Sequence, residues 1–175
     1  MALMLIVPER KHEAAWNDIL SEYRLNNAKV RWDMHMGFES GEYERYLQMD
    51  EDFRNSVNIA EGYSGRTSYF MVDSDRPDYF IGSVSVRYEL TSELINIGGH
   101  IGYSIRPNER GKGYGTKQLQ LALDVCRKLG IENALLTCNN TNMASAAVIK
   151  KCGGVFESSF TEDNSNIVDR YWIKL

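Results

Sequence analysis

Several features that would decide the class of this chain at once are missing. Its three cysteines, Cys126, Cys138 and Cys152, are odd in number and match no zinc-ligand spacing, which argues against a disulfide framework or a structural metal. There is no excess of positive charge: 20 Lys and Arg stand against 24 Asp and Glu, for a net charge of −4. A globally basic nucleic-acid binder is thereby set aside, although a local basic patch is not. Uncharged apolar runs are only a few residues long, far short of the ~20 that cross a bilayer. The apolar start, Met-Ala-Leu-Met-Leu-Ile-Val, has no basic leader and meets Pro8 and Glu9 at once, so it reads as a strand and not as a signal peptide. No repeat, low-complexity tract or charge block divides the chain. The expectation is one soluble, cytoplasmic domain over residues 1–175, with no metal, no nucleic-acid partner and no membrane partner.

Periodicity then places the elements. A strand over residues 3–7 precedes a helix over about 9–25, in which Trp16, Ile19, Leu20 and Tyr23 recur at helical spacing. A second helix is expected over about 41–57, with Tyr43, Leu47, Phe53 and Val57 on one face. Between them, residues 26–40 are unusually apolar for a loop (Trp32, Met34, His35, Met36, Phe38), and either fold onto the core or wall a substrate pocket. Residues 67–72 and 79–86 read as a hairpin about a 73–78 turn, and 100–106 as a strand after Gly98-Gly99. Leu119, Ala122, Leu123, Cys126 and Leu129 form a helical stripe stopped by Gly130. A strand at 134–138, a helix at 142–151 and strands at 155–160 and 167–174 complete an α/β (α+β) domain with one central sheet.

The most informative segment is Arg110-Gly111-Lys112-Gly113-Tyr114-Gly115-Thr116, which leaves a predicted strand and opens a predicted helix. Glycines there let backbone come close to a ligand, and the free N–H groups at a helix start attract an anion. Arg110 and Lys112 add positive charge, so phosphate is the natural guest. The register fails both the Walker P-loop and the dinucleotide G-x-G-x-x-G pattern. A purely structural turn is the plain alternative.

Arg110, Gly113 and Gly115 satisfy Arg/Gln-x-x-Gly-x-Gly/Ala, and here the chain resembles the GNAT superfamily of acyl-CoA-dependent N-acetyltransferases. The approach Tyr103-Ser104-Ile105-Arg106-Pro107 and the later Asn142-Met143-Ala144-Ser145 and Ile149-Lys150-Lys151-Cys152-Gly153-Gly154 are also similar to family motifs. The resemblance implies a mixed, mostly antiparallel sheet flanked by helices, with a β-bulge and a V-shaped splay at the acyl-CoA site. It implies helices in residues 1–65 shaping the acceptor site and a CoA-binding core in 66–175. Residues 110–116 would hold the pyrophosphate of acetyl-CoA. The backbone of Tyr103, Ser104 and Ile105, with Arg106 beside them, would follow the pantetheine arm. The Ile105 N–H would stabilise the oxyanion, a contribution of about 3–4 kcal/mol for one preorganised donor. Asn142, with Ser145 nearby, would bind the pantetheine arm or act as a plain helix cap, and Lys150 would reach the adenosine phosphates or stay in solvent.

One departure matters. Where many members carry a Tyr as general acid, this chain has Ile149. Tyr103 or Tyr171 could replace it, or the thiolate could leave unaided. His100 and Glu89 are the candidate bases, each weighed against a packing or surface role. The cysteines read as structural. The activity implied is acetyl transfer from acetyl-CoA to a primary amine of a small molecule or protein; a non-catalytic acyl-CoA sensor is the alternative. Trp32, Tyr43, Tyr46, Glu39 and Glu42 would suit a cationic amine, and Tyr171-Trp172-Ile173 fits a homodimer interface or the interior equally.

Overall fold

Strand alternation sorts the apolar residues onto two faces, and each face is covered by its own pair of helices. The structure is a computed structural model that describes residues 2–28, 43–162 and 165–175. In chain order it contains β1 (Leu3–Ile6), α1 (Glu13–Leu25), α2 (Tyr43–Arg54), β2 (Arg66–Asp73), β3 (Gly82–Arg87), β4 (Ile101–Ile105), α3 (Tyr114–Lys128), β5 (Asn133–Asn139), α4 (Met143–Lys151), β6 (Val155–Thr161) and β7 (Ile167–Lys174). The aromatic loop expected over 26–40 lies, from residue 29 on, outside the described residues, as do Trp32, Glu39 and Glu42.

On one face, Trp16, Ile19, Leu20 and Tyr23 of α1 and Tyr43 and Tyr46 of α2 close over Phe70 and Val72 of β2 and Phe80. This core is built of rings: Trp16 lies 4.2 Å from Tyr46, and Phe70 stacks on Phe80 at 4.0 Å. Tyr43 and Tyr46 thus belong to packing and not to an acceptor site. On the other face, α3 and α4 lay Leu119, Ala122, Leu123, Cys126, Ala146 and Ile149 against Val84, Val86, Ile101, Ala134, Leu136, Tyr171 and Ile173.

The expected single sheet is divided. β1-β2-β3-β4 form one antiparallel sheet and β5-β7-β6 another, and β4 and β5 meet at one point. There the His100 N–H donates to the Leu135 carbonyl at 2.7 Å, and His100 Nδ1 accepts from the Leu135 N–H at 2.9 Å. Gly99 makes that approach feasible. Its φ is +59°, and a Cβ on it would stand 2.3 Å from the Leu135 carbonyl oxygen. Beyond the pinned point the strands separate, as a V-shaped splay requires. The expected bulge in β4 is corrected: β4 keeps an unbroken register with β3, from Gly82 opposite Ile105 to Val86 opposite Ile101. The opening follows instead from the glycine turn that ends at His100. The register shift in this structure lies between β6 and β7, near Phe156.

Candidate active site

β4 leads directly into the glycine-rich turn, and its hydrogen-bonding parity fixes which atoms face the opening. The Arg87 N–H donates to His100 C=O and the Arg106 N–H to Ile81 C=O, each 2.8–2.9 Å, at the two ends of the β3–β4 ladder. In an antiparallel pair the backbone groups of alternate residues point to opposite edges. Even-numbered residues of β4 are therefore committed to β3, and the N–H groups of Ile101, Tyr103 and Ile105 are turned away from it, while the Ile105 carbonyl accepts from Arg110 Nε at 3.1 Å and from Tyr23 Oη at 3.3 Å. The Ile105 N–H, for which the resemblance implies an oxyanion role, thus has no partner on β3. Ser104 does not share that placement, because its backbone pairs with Ser83; its hydroxyl meets Tyr23 Oη at 3.0 Å and Ser83 Oγ at 3.1 Å.

Side chains alternate too, which corrects the reading of Arg106. It is buried on the α1 face, ion-paired to Glu22 at 2.5 Å and Asp18 at 2.7 Å, with its guanidinium 4.1 Å from the Tyr79 ring centroid. Glu22 also accepts the Asn108 N–H at 2.8 Å. Arg106 fastens the end of β4 to α1 and has no path to a cosubstrate.

After a short turn, Pro107–Glu109, the glycine segment stands open. Gly111 and Gly113 adopt φ of +78° and +85°, and nothing lies within 4 Å of a Cβ built on either. Gly113 is the N-cap of α3 without any side-chain cap, and among the described residues no acceptor takes the N–H groups of residues 111–116. Successive unpaired N–H groups at a helix start form an anion nest. Arg110 is exposed beside it, Nε donating to Ile105 C=O at 3.1 Å, and Lys112 pairs with Glu109 at 3.0 Å. Gly115 brings the first turn of α3 against Val148 of α4, where a Cβ would sit 3.2 Å away; Tyr114 and Thr116 are half-buried. Loop and splay thus fit a diphosphate followed by an extended arm.

The splay itself is a cleft of about 350 Å³, lined among others by Tyr103, Thr137, Cys138, Asn142 and Ser145. Asn142 caps α4, its Oδ1 accepting the Ser145 N–H at 3.1 Å, which leaves its Nδ2 as donor toward the cleft. Tyr103 Oη lies 3.1 Å from Ser145 Oγ, one helical turn before Ile149 on α4. Ile149 is fully buried in the core, so a β4 tyrosine occupies the neighbourhood that the helix leaves apolar. Burial pushes the Tyr103 hydroxyl up to about 12, so it keeps its proton at neutral pH. Tyr171 is buried with its hydroxyl near Asp169 and does not line the cleft.

Neither expected base faces this opening. His100 is buried with Nδ1 occupied by Leu135, and burial followed by the Arg87 charge lowers its pKa. Glu89 is exposed in a bend, lines neither the splay nor the larger cavity beside it, and its carbonyl accepts from Ser64. Lys150 is exposed, with its ammonium 5.9 Å from the Tyr171 ring centroid on β7. Sequence reasoning missed Glu162, a carboxylate that lines the cleft, and Arg87, whose Nη1 holds the carbonyls of Gly98 and Gly99 at 3.2 and 3.0 Å. The thiols of Cys126, Cys138 and Cys152 are free and are all raised chiefly by burial, which disfavours a nucleophilic thiolate.

Comparison with known proteins gives the family. The sequence model of the acetyltransferase (GNAT) domain covers residues 5–155. The chain belongs to the GNAT family of acetyltransferases. No curated protein matches it in sequence. Among solved structures it is similar to microcin C7 self-immunity acetyltransferase MccE in complex with acetyl-CoA and AMP, at 17% identity, TM-score 0.71, covering 99% of this chain and 92% of that one. A Vibrio fischeri ribosomal-protein-S5-alanine acetyltransferase gives 17% identity and TM-score 0.70, covering 99% and 93%. A Salmonella typhimurium acetyltransferase that modifies the N-terminal serine of ribosomal protein L7/L12 gives 15% and 0.69, covering 100% and 96%. At these identities the likeness is one of fold; the family match makes the chain an acetyl-CoA-dependent N-acetyltransferase. Among the described residues no helix is long and apolar enough to cross a membrane, and no cluster of three or more His, Cys, Asp or Glu could hold a metal.

Proposed function

We propose that this GNAT enzyme transfers the acetyl group directly from acetyl-CoA to a primary amine, with Ile105 and Tyr103 of β4 serving the thioester and Glu162 serving the amine. The observation that carries the reading is the continuity of three features: the open nest at residues 111–116, the Ile105 N–H turned toward the splay, and Tyr103, Asn142 and Ser145 on the splay's wall. The nest binds the diphosphate with Arg110 at its rim, and Asn142 holds the amide-rich arm. The Ile105 N–H donates to the thioester carbonyl, where negative charge grows as nitrogen attacks.

An alkylammonium, ordinarily near pKa ~10.4, must lose a proton before it can attack. Glu162 is the carboxylate that lines the splay, and it passes that proton to solvent. As the C–S bond breaks, the sulfur takes the proton of Tyr103, whose hydroxyl is restored through Ser145 and water. No acyl-enzyme is needed, in keeping with the raised thiols. The N-terminal part contributes residues 61–63 to the adjoining cavity, and α1 anchors β4.

The test is thiol release from acetyl-CoA with a panel of primary amines. Tyr103→Phe should lower kcat about 100-fold with the acetyl-CoA Kd kept, as expected for loss of a general acid. Tight acetyl-CoA binding without thiol release from any amine would instead make the chain a sensor. Full activity in Tyr103→Phe would remove Tyr103 from the mechanism.

A further inference from the structure

The splay opens into a second, larger cavity of about 980 Å³, and the two share Arg87, Ile97, Gly98 and Glu162. An acceptor must approach from this side if the arm of acetyl-CoA fills the splay, so the inference rests on the transfer reading above. The walls of the larger cavity bear three carboxylates, Glu61, Glu93 and Glu162, and the aromatic rings of Tyr63 and Phe160. Among the described residues Arg87 is the one basic side chain in the lining, and its Nη1 donates to the carbonyls of Gly98 and Gly99.

Among the described residues no cation pairs with Glu61, Glu93 or Glu162; Glu93 accepts from the Ser92 hydroxyl at 2.9 Å and Glu162 from the Asn166 amide, both neutral donors. The Ser92 hydroxyl and a backbone N–H hold Glu93 below the usual carboxylate range, so it stays charged. Position separates the three. Glu162 lines both cavities and so stands at the junction, whereas Glu61 and Glu93 line the larger cavity alone.

From this arrangement we infer that the acceptor is an aliphatic amine bearing at least two positive charges. The reacting nitrogen meets Glu162 at the junction, and a distal ammonium rests between Glu61 and Glu93. Tyr63 and Phe160 cover the intervening methylenes.

Three probes of equal length isolate the distal charge: 1,6-diaminohexane, hexylamine and 6-aminohexanoate, compared by kcat/KM in thiol release with acetyl-CoA. The diamine should exceed hexylamine about fivefold, and 6-aminohexanoate should fall at least about tenfold below the diamine through like-charge repulsion. The double variant Glu61→Gln/Glu93→Gln should bring the diamine-to-hexylamine ratio close to one, chiefly through KM. Its acetyl-CoA Kd serves as the check that it has folded. Raising the salt concentration should narrow the same ratio. Hexylamine or 6-aminohexanoate matching the diamine, a ratio that the double variant leaves untouched, or turnover confined to peptide N-termini would each overturn the acceptor class while leaving acetyl transfer standing. Acetyl-CoA binding with no thiol release from any amine would overturn the transfer reading, and this inference with it.

Discussion

The two faces of the β1–β4 sheet are built for opposite purposes. Beneath α1 and α2, interlocked rings fill the space, and two ion pairs sit among them: Arg106 with Glu22, and Arg54 with the fully buried Asp50 at 2.6 Å. Toward α3 and α4 the core is mainly aliphatic, and at its margin lie glycines and, among the described residues, N–H groups without acceptors and a β4 edge that meets β5 only at His100. A closed face sets the position of β4, and the open face then exposes the β4 atoms to which the proposed reaction assigns the chemistry. The same five-residue strand serves both, because its even side chains look one way and its odd ones the other.

If that division of labour holds, damage to the closed face costs stability and damage to the open face costs ligand binding. Trp16→Ala should have the largest effect. Trp16 is 1% exposed and touches Tyr43, Tyr46 and Phe70, so its removal should cost about 3–5 kcal/mol in urea unfolding. At a temperature where the variant remains folded, its acetyl-CoA Kd should equal that of the wild type. A weakened Kd would show that the aromatic core also shapes the nest.

Next comes Glu22→Ala, which strips the buried Arg106 of its inner partner and the Asn108 N–H of its acceptor. Breaking one side of a buried pair costs about 3–5 kcal/mol, but Asp18, half-exposed, still faces Arg106, so about 2–3 kcal/mol is expected here. The urea midpoint should fall with an unchanged slope. Because Arg106 follows Ile105 directly, kcat should fall in this variant as well, a coupling that Trp16→Ala should not show.

Gly113→Ala probes the open face. A Cβ there meets nothing within 4 Å, so the stability loss should be limited to about 1 kcal/mol from the left-handed backbone. On the proposed reading, the same methyl stands where backbone approaches the diphosphate. Acetyl-CoA binding should weaken about tenfold, the equivalent of one charge-assisted hydrogen bond, by titration calorimetry. Unchanged affinity would relocate the pyrophosphate away from this turn.

The open face was also the more legible one. Arg110, Gly113 and Gly115 mark an open turn at a helix start in the sequence because such a turn needs particular residues at particular spacing, and that need is local. The element order was readable for the same reason, since helix and strand periods are local. What escaped depends on which edge a strand turns to whom. Ser104 and Arg106 sit beside Ile105 in sequence yet point to β3 and α1, a parity that only the ladder with β3 fixes. His100 looked like a base because its intrinsic pKa suits one; its actual place is set by Gly99 approaching Leu135, a contact 36 residues away in sequence. Glu61, Glu93 and Glu162 come from three separate segments and share a cavity solely through tertiary structure.

His100 yields the smallest effect and the sharpest test of its reassignment from base to clamp. Burial, then the charge of Arg87, lowers its pKa in the folded chain below the ordinary ~6.5. Between that lowered value and ~6.5 the unfolded chain binds the proton and the folded chain does not. Stability is therefore intact above pH ~6.5 and declines as the pH falls through this window, by at most about 1.4 kcal/mol per pH unit for one group. His12, also lowered mainly by burial, adds to the same slope. In His100→Asn the side-chain oxygen can still accept the Leu135 N–H but cannot titrate, so thermal unfolding between pH 7 and pH 5 should show a shallower decline than the wild type. A clamp predicts that this variant keeps its kcat and its pH–rate profile, because in the proposed reaction the proton of the amine goes to Glu162. A base predicts loss of the rate and of an ionisation near neutrality, and that outcome would return His100 to the reaction and open the division between the two faces at its vertex.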